Sequence, residues 1–243
     1  MTNKKAIIFG GSGQDGSYMC KLLLEKKYKI ISVTRNLDKK LNHKKLKIKK
    51  GVLRKKINIY KKIEIEKLIN NSLCDEIYFF GGQPSPLESY KKPYKTIISS
   101  VIPVYYILET IKNSKKKIKF FNASSCEIFE SSKNIKNEKS KMKPSSPYGL
   151  SKLITFYFTK FYREQYKLKC FSSIAFHHES ILRKKNFLIP KIINAAKKIS
   201  NNKKKKLYLG NINNIKDWGW APEYVKLIYR IMQKNISGDF VIG

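Results

Sequence analysis

The stretch AIIFGGSGQDG, residues 6–16, runs from an apolar, strand-like segment into a turn with a glycine at every third position. Glycines at this spacing allow a tight turn, and they let backbone N–H groups and the amino end of the next helix approach a pyrophosphate. Such a turn alone is weak evidence, but this one joins the first strand and the first helix of an alternating chain. We therefore predict a dinucleotide-binding turn formed by Gly10, Gly13, Gln14, Asp15 and Gly16.

Apolar runs rich in Ile, Val, Phe and Tyr recur along the chain and alternate with helix-length segments. The runs cover residues 6–10, 29–34, 76–80, 118–124 and 170–176, and the helix-length segments cover residues 15–27, 61–71, 93–113 and 147–166. Strands that are apolar throughout are typical of a parallel sheet buried on both faces, and the alternation indicates successive βαβ units. The expected fold class is α/β, with a Rossmann-type doubly wound parallel sheet.

The alternation loosens beyond residue 176. We expect a helix over 186–199, a short strand over KLYLG at 206–210 and a further helix over 222–234. Residues 1–176 are expected to form an NADP-binding Rossmann domain, and residues 177–243 part of a smaller C-terminal substrate lobe with returning Rossmann elements. The lysine- and serine-rich stretch 131–145 is expected to be an exposed loop.

The chain is strongly basic, with 52 Lys and Arg against 17 Asp and Glu and a formal charge of +35. This charge raises a nucleic acid or an anionic membrane surface as a partner. The lysines, however, are spread over almost every segment, and the densest runs, 39–50 and 203–206, contain no aromatic residue that could stack on bases. We therefore expect no nucleic-acid partner, whereas an anionic small ligand suits the composition.

Targeting segments and cysteine pairs are not evident in the sequence. No apolar run approaches the roughly 20 residues of a membrane-spanning helix, and residues 1–5 lead into the first strand without a signal-peptide layout. The four cysteines lie 44 to 54 residues apart, which matches neither a metal-binding pair nor a disulfide framework. We expect a cytoplasmic protein with reduced thiols, no membrane partner and no metal.

The end of the second strand bears on the choice of cofactor. An Asp or Glu there would accept hydrogen bonds from the adenosine ribose of NAD, but the residue is Arg35, which suits the 2′-phosphate of NADP. We therefore expect NADP as the cofactor. Asp38 lies close enough in the sequence that NAD stays an alternative cofactor.

Polar residues with catalytic potential follow the fourth apolar run and open the last of the four helix-length segments. Ligands of open α/β sheets gather at the carboxyl ends of strands, so we expect Ser125 and Glu127 to face the cofactor cleft.

Tyr148 and Lys152 lie one helical turn apart in SPYGLSKL, residues 146–153. A tyrosine has a pKa of about 10, and we expect the lysine ammonium and the positive nicotinamide ring to lower it. The hydroxyl would then orient the substrate oxygen, the phenolate would take its proton, and the ammonium would tune the phenolate and anchor the ribose.

With Ser125 and Tyr148-x-x-x-Lys152 behind the glycine turn, the chain resembles the extended short-chain dehydrogenases/reductases, and within them the GDP-mannose 4,6-dehydratase family. The matching stretches follow one another over nearly the whole chain. They are GGSGQDGSYMCKLLLEKKY (10–28), DEIYFFGGQPS (75–85), NASSCEIF (122–129), SPYGLSKL (146–153), FHHES (176–180) and LYLGNINNIKDWGWAPEYV (207–225).

The resemblance implies an NADP-dependent lyase that converts GDP-mannose to GDP-4-keto-6-deoxymannose by oxidation at carbon 4, elimination of water across carbons 5 and 6, and hydride return to carbon 6. It implies that Glu127 is the acid/base of the elimination, beside Ser125, the tyrosine base Tyr148 and its partner Lys152. Members of the family oligomerise through the helices around the tyrosine motif, so a homo-oligomer is expected. The further cofactor contacts implied are Asn58, Ile59, Phe80, Gly81, Gly82, Gln83, Lys152, His178 and Arg183.

The sequence alone is also compatible with other functions. A nucleotide-sugar epimerase, a reductase or another dehydratase would keep the fold, although Glu127 and the DWGWAPEYV run argue against the first two. A truncated, inactive homologue could act as a binding subunit, because family members continue beyond the point at which this chain ends. A basic nucleic-acid-associated protein could share the fold alone, and its binding to DNA would weaken steeply with salt.

Overall fold

A computed structural model describes residues 4–37, 41–48, 50–132, 134–201, 206–234 and 236–243. Its strands are β1 (Lys5–Phe9), β2 (Lys29–Val33), β3 (Val52–Lys55), β4 (Glu76–Phe79), β5 (Lys119–Ala123), β6 (Cys170–Ala175), β7 (His177–Glu179), β8 (Trp218–Trp220) and β9 (Gly238–Ile242). Its helices are α1 (Gln14–Glu25), α2 (Leu41–Lys45), α3 (Lys62–Ser72), α4 (Pro86–Lys91), α5 (Pro93–Lys112), α6 (Pro147–Tyr166), α7 (Leu188–Ser200) and α8 (Ala221–Gln233), with a 3-10 turn at Cys126–Ile128. Within these ranges, no helix combines the length and the apolar character that a bilayer crossing requires.

One parallel sheet organises the fold. Its seven strands lie in the order β3-β2-β1-β4-β5-β6-β9, and every neighbouring pair is parallel. This confirms the predicted doubly wound α/β sheet. The strand order reverses between β1 and β4, and the carboxyl ends of strands at such a point form the crevice in which ligands of these folds bind. The glycine turn after β1 and the loop after β4 border this crevice.

Helices cover both faces of the sheet, because the central strands bury large apolar side chains on both of their faces. Ile8, Tyr78 and Phe121 belong to the core on the side of α1 and α8. Their neighbours along the chain, among them Ile7 and Phe79, belong to the core on the side of α3 and α5. These side chains are almost completely buried, and each contributes roughly 1.5–3 kcal/mol to folding.

The predicted elements agree with the structure with one exception. Five of the six predicted strands and all six predicted helices are present, with ends within two residues of those expected, and the described part of 131–145 is a mostly exposed loop. The strand predicted over KLYLG, residues 206–210, is wrong: this segment has no strand structure, and Tyr208 is 76% exposed. The segment is apolar enough for a strand, but no neighbouring strand in the described part of the chain pairs with it.

The C-terminal part of the chain returns to the sheet. β9 pairs with β6, and the guanidinium of Arg163 on α6 binds the carboxylate of Asp239 on β9 through two hydrogen bonds of 2.9 and 2.5 Å. β7 and β8 pair with each other outside the main sheet. The division into domains at residue 176 stays a prediction.

A buried carboxylate joins several elements at the amino end of the sheet, opposite the crevice. Glu76, at the start of β4, is 1% exposed. Its Oε1 accepts hydrogen bonds from Lys4 (3.3 Å), Tyr28 (3.1 Å) and Gln233 of α8 (3.2 Å), and its Oε2 accepts one from Tyr78 (2.7 Å). Burial, together with the charge of Glu76, raises the pKa of both tyrosines, so their hydroxyls stay protonated and donate.

We expect Glu76→Ala to lower the free energy of unfolding by about 3–5 kcal/mol, because it leaves several buried donors without an acceptor. Urea unfolding followed by circular dichroism measures the loss. The control is Glu164→Ala, which removes an exposed carboxylate 4.0 Å from Lys160 and should cost at most about 1 kcal/mol. Equal losses in the two variants would contradict a structural role for Glu76.

Candidate active site

The glycine turn after β1 lies directly against the loop after β4. Gly10 has a φ of +81°, and a Cβ at this position would lie 2.8 Å from the carbonyl oxygen of Phe80. Gly16 faces the same turn, where a Cβ would lie 2.4 Å from the carbonyl oxygen of Gly10. Only glycine fits at either position without moving the backbone, and this close packing fixes where α1 begins.

The amino end of α1 fits the pyrophosphate of a dinucleotide. Gly13 caps the helix in an extended conformation and makes no side-chain hydrogen bond to it. The N–H groups of the first turn have no partner within the helix, and the helix dipole favours an anion beside them. The surroundings of Gly10, Gly13 and Gly16 therefore support the predicted cofactor-binding turn.

Gln14 and Asp15 bind the segment that contains β7. Asp15 Oδ2 lies 3.1 Å from His178 Nε2, and Gln14 Nε2 donates to the carbonyl oxygen of His178 at 3.2 Å. Ser180 Oγ donates to Gln14 Oε1 at 2.9 Å, and His178 Nδ1 lies 2.8 Å from the carbonyl oxygen of Phe176. Both ring nitrogens of His178 therefore have protein partners, and the contacts of these side chains with a cofactor stay predictions.

The pair of Asp15 and His178 is electrostatically coupled. Burial raises the pKa of Asp15, but the neighbouring His178 outweighs it, so the pKa of Asp15 is lowered. Burial lowers the pKa of His178, but Asp15 outweighs it, so the pKa of His178 is raised. Close by, Arg183 Nε lies 3.2 Å from Glu179 Oε1, and the guanidinium lies 3.9 Å from the ring centroid of Phe187.

Arg35 is exposed immediately after β2. The neighbouring Thr34 accepts a hydrogen bond from Ser12 of the glycine turn at 3.0 Å, so this end of β2 is tied to the turn. Arg54 on β3, which was not predicted from the sequence, donates from its guanidinium to the backbone carbonyls of Leu37 and, at 3.1 Å, of Asn36. Asp38, the residue that leaves NAD as an alternative cofactor, lies outside the described residues.

The remaining predicted cofactor residues follow β3 and β4. Asn58 is exposed and accepts a hydrogen bond from the backbone N–H of Tyr60 at 3.0 Å, whereas Ile59 packs against the core. Asn58 and Ile59 follow β3 at the carboxyl end of the sheet. Their contact with a cofactor stays a prediction that the resemblance implies.

The loop after β4 is built around glycines. The Phe80 ring packs 5.4 Å from that of Phe121, between ring centroids, and Gly81 follows as the chain leaves the sheet. Gly82 has a φ of +103°, a value that favours glycine. Gln83 Nε2 donates to the carbonyl oxygen of Ser85 at 2.8 Å, so this side chain stabilises the loop itself.

The four predicted catalytic residues meet where the end of β5 contacts the first turns of α6. Ser125 caps the 3-10 turn by accepting a hydrogen bond from the N–H of Glu127 at 3.3 Å. A Cβ on Gly149 would lie 2.4 Å from the carbonyl oxygen of Glu127, so the two backbones are in direct contact beside Tyr148. Lys152 Nζ donates to the carbonyl oxygen of Ala123 at 2.8 Å and lies 5.8 Å from the centroid of the Tyr148 ring.

Burial controls the ionisation of the tyrosine and the lysine. Burial raises the pKa of Tyr148 to about 12, against a hydrogen bond with Ser125 that lowers it. Burial also lowers the pKa of Lys152 to about 8, against the charge of Asp15. The prediction was that the lysine ammonium and the positive nicotinamide ring together lower the pKa of Tyr148. In the protein alone, the cost of burying the phenolate dominates and the pKa is raised.

Cys126, His177 and Lys216, which the sequence did not connect, meet beside Glu127. Cys126 Sγ lies 3.9 Å from His177 Nδ1, and Glu127 Oε1 lies 3.8 Å from His177 Nε2. Lys216 Nζ lies 3.3 Å from the same Nε2. Burial lowers the pKa of His177 to about 4, so the imidazole is neutral at physiological pH, and burial raises the pKa of the Cys126 thiol to about 12.

Comparison with known proteins connects this geometry to a family. The sequence model of the GDP-mannose 4,6 dehydratase family matches residues 7–243. A GDP-mannose 4,6-dehydratase of Vibrio cholerae is 30% identical over 257 aligned residues, which cover 100% of this chain and 68% of that protein. GDP-mannose 4,6 dehydratase 1 of Arabidopsis thaliana is also 30% identical, with 99% of this chain and 70% of that protein covered.

Solved structures share the fold at lower sequence identity. A UDP-glucuronic acid 4-epimerase from Bacillus cereus, in complex with UDP-glucuronic acid and NAD, has a TM-score of 0.84 at 19% identity, with 98% of this chain and 76% of that chain covered. A UDP-glucose 4-epimerase from Thermus thermophilus, in complex with NAD, has a TM-score of 0.83 at 16% identity, covering 98% and 77%. At these identities the likeness concerns the fold alone. The sequence match decides the relationship, and the chain belongs to the GDP-mannose 4,6-dehydratase family.

Proposed function

We propose that the chain is an NADP-dependent nucleotide-sugar 4,6-dehydratase that acts on GDP-mannose. The observation that carries this proposal is the backbone contact between Glu127 and Gly149, which keeps a carboxylate beside the tyrosine and the lysine. An oxidoreductase of this fold needs the hydroxyl, the tyrosine and the lysine, whereas a dehydratase also needs a group that removes a proton from carbon. Membership of the family supports the same reaction.

The crevice at the carboxyl ends of β1 and β4 would hold the cofactor. The N–H groups at the start of α1 would bind the pyrophosphate, Arg35 the 2′-phosphate and Lys152 the nicotinamide ribose. When bound, the nicotinamide would supply the acceptor for the hydride of carbon 4 and the donor for carbon 6. Arg54, which reaches the same loop after β2, adds positive charge that favours NADP over NAD.

Tyr148 would act as the base at the carbon-4 hydroxyl, with Ser125 orienting that oxygen. The raised pKa of Tyr148 means that the residue needs added positive charge near its hydroxyl before it can accept a proton at neutral pH. Lys152 has a pKa of about 8 and is therefore mostly protonated at neutral pH. Its hydrogen bond to Ala123 holds the ammonium at a fixed position below the tyrosine ring.

Glu127 would carry out the step that distinguishes a dehydratase. A ketone at carbon 4 makes the C–H bond of carbon 5 acidic. Glu127 would take that proton as a base and return it as an acid to the carbon-6 hydroxyl, which leaves as water while the double bond between carbons 5 and 6 forms. General acid–base catalysis of this kind supplies about 10²–10⁴ in rate. The side chain is 24% exposed, so it is reachable from the crevice while its backbone is held by the 3-10 turn.

A cavity at α7 supports an anionic, nucleotide-sized substrate. It has a volume of about 320 Å³ and is lined by Lys185, Lys191, Asn194, Ala195, Lys198 and Leu207. Ammonium groups beside a small apolar surface suit the diphosphate and the base of a nucleotide sugar. We therefore place the nucleotide of GDP-mannose in this cavity.

The packed pair of α5 and α6 supports a homo-oligomer. Tyr105, Leu150, Tyr157 and Phe161 on these two helices are between 38% and 52% exposed. Several exposed apolar side chains on one helix pair suit an interaction site, and the like charge of two basic subunits would oppose association most at low salt. We propose that two copies of the chain associate through this face.

We expect the protein to convert GDP-mannose, in the presence of NADP, to a keto sugar nucleotide that has lost the mass of one water. Glu127→Gln should lower the rate of water loss by about 10²–10⁴-fold and leave oxidation at carbon 4 detectable. Mass spectrometry of the sugar nucleotide and the absorbance of reduced cofactor report the two steps separately.

The matched control for that experiment is Glu130→Gln. Glu130 follows on the same segment, but its carboxylate pairs with Lys141 and Lys143 on the surface, 3.5 Å from each ammonium. Its replacement should leave water loss unchanged. Equal rates of water loss in the two variants would remove Glu127 from the mechanism.

We expect Arg35→Ala to weaken NADP binding by about 10- to 100-fold, because a charged hydrogen bond is worth about 1.5–3 kcal/mol, and to leave NAD binding unchanged. Isothermal titration calorimetry with each cofactor gives the two affinities. Arg230→Ala, which removes an exposed arginine of α8, is the control. A parallel loss of NAD and NADP affinity in Arg35→Ala would contradict contact with the 2′-phosphate.

We expect Phe161→Asp to convert the oligomer to monomers, because it puts a charge into the apolar face of α5 and α6. Sedimentation velocity at moderate salt measures the state. The control is Ile135→Asp, which changes a side chain that is 97% exposed in the 131–145 loop. If Phe161→Asp still forms the oligomer, the interface lies on another face of the protein.

A further inference from the structure

We propose that Cys126, Glu127 and His177 form a binding site for a divalent cation of intermediate softness, such as Zn²⁺. One ligand atom from each residue lies within 4.8 Å of the other two. A thiolate, an imidazole and a carboxylate are the ligand types that Zn²⁺ takes in proteins, and three protein ligands with an open fourth position is the arrangement of its reactive sites.

The distances within this cluster suit a cation after small side-chain rotations. Bonds of roughly 2.0–2.3 Å and tetrahedral angles put ligand atoms about 3.3–3.7 Å apart. Glu127 Oε1 lies 3.8 Å from Nε2 of the His177 ring, whereas Cys126 Sγ lies 3.9 Å from Nδ1, so a cation on Nε2 needs the Cys126 side chain to rotate toward that nitrogen. Because Cys126 and Glu127 belong to the 3-10 turn and His177 begins β7, the site joins two elements that follow neighbouring strands.

The hydrogen bonding of His177 leaves a lone pair where the cation needs it. An ammonium can only donate, so the contact at 3.3 Å from Lys216 Nζ makes Nε2 the acceptor nitrogen of the neutral ring. The same Nε2 faces the Glu127 carboxylate. Lys216 is exposed, so its ammonium can move into solvent, and a cation would take its place between the imidazole and the carboxylate.

The thiol of Cys126 completes the site and makes it selective. A bound cation promotes loss of the thiol proton to solvent, and thiolate ligands favour Zn²⁺ over Mg²⁺ or Ca²⁺. Cys20, Cys74 and Cys170 are buried, whereas Cys126 is partly exposed. Cys126 is therefore the thiol that an added cation can reach.

The functional consequence rests on the proposed dehydratase reaction. A cation that takes the Glu127 carboxylate prevents it from accepting the carbon-5 proton. We infer that Zn²⁺ inhibits the elimination step reversibly, and that Lys216 competes with the cation for His177.

Titration of Cd²⁺ and Zn²⁺ into the full chain, without substrate or cofactor, tests the site. Cd²⁺ should bind one per chain with an ultraviolet thiolate charge-transfer band, and the band should be absent in Cys126→Ser. Calorimetry should show Zn²⁺ binding at least about tenfold weaker in His177→Asn and Glu127→Gln, since even partners outside the ligand shell are worth about 10- to 100-fold. Lys216→Met should bind Zn²⁺ more tightly than the parent chain, and Glu130→Gln should bind it equally.

The possible outcomes separate clearly. A missing charge-transfer band in the parent chain, or an unchanged band in Cys126→Ser, overturns the site. Equal Zn²⁺ affinities for His177→Asn, Glu127→Gln and Glu130→Gln also overturn it, and these three variants decide the matter if Cys126→Ser does not fold. Because binding is measured without turnover, failure of the cation site leaves the proposed dehydratase unaffected, and an inactive chain that binds Cd²⁺ through Cys126 leaves the cation site intact.

Discussion

Two contacts with backbone carbonyls hold the start of α6 against the end of β5, and the candidate site depends on them. Gly149 lacks the Cβ that would collide with the carbonyl oxygen of Glu127, and the ammonium of Lys152 binds the carbonyl oxygen of Ala123. Ser146 fixes the first residue of the helix by accepting a hydrogen bond from the N–H of Gly149 at 3.0 Å. These local features put a tyrosine, a lysine, a serine and a glutamate from two separate elements at one edge of the sheet.

The same close packing sets the electrostatic state of the site. Burial disfavours charge on both Tyr148 and Lys152, so the pKa of the tyrosine rises and that of the lysine falls. Asp15 and Glu127 face this region with negative charge, and Arg183 adds positive charge. The tyrosine therefore ionises at neutral pH only when a bound ligand adds positive charge near its hydroxyl. Proton transfer by Tyr148 then depends on ligand binding.

The sequence alone predicts structural features whose signal lies in neighbouring residues, and it fails for features that depend on packing between distant segments. Continuous apolar runs such as those around Ile7 and Phe120 identify central strands, because both of their faces are buried. The edge strand β3 alternates exposed residues, among them Leu53 and Lys55, with partly buried ones, and it gives a weaker pattern. The predicted strand at 206–210 is wrong because a strand also needs a neighbour. Ser125 and Glu127 could be predicted from their position after a strand end, Tyr148 and Lys152 from their spacing of one helical turn, and the role of Glu127 only from the family resemblance. The directions of the pKa shifts of Tyr148 and Lys152, and the meeting of Cys126 with His177, 51 residues apart, follow only from the packed structure.

The basic character of the chain bears on both kinds of ligand. With 52 Lys and Arg and only 17 Asp and Glu, the field of the protein attracts phosphates and opposes cations at long range. Near the crevice, however, Asp15, Glu127 and Glu179 concentrate carboxylates beside histidines and an arginine. A cation that enters this region against the overall field must be held by directed bonds to sulfur and nitrogen rather than by charge alone. That requirement excludes Mg²⁺ and Ca²⁺, which take oxygen ligands, and favours the metals that Cys126 and His177 can coordinate.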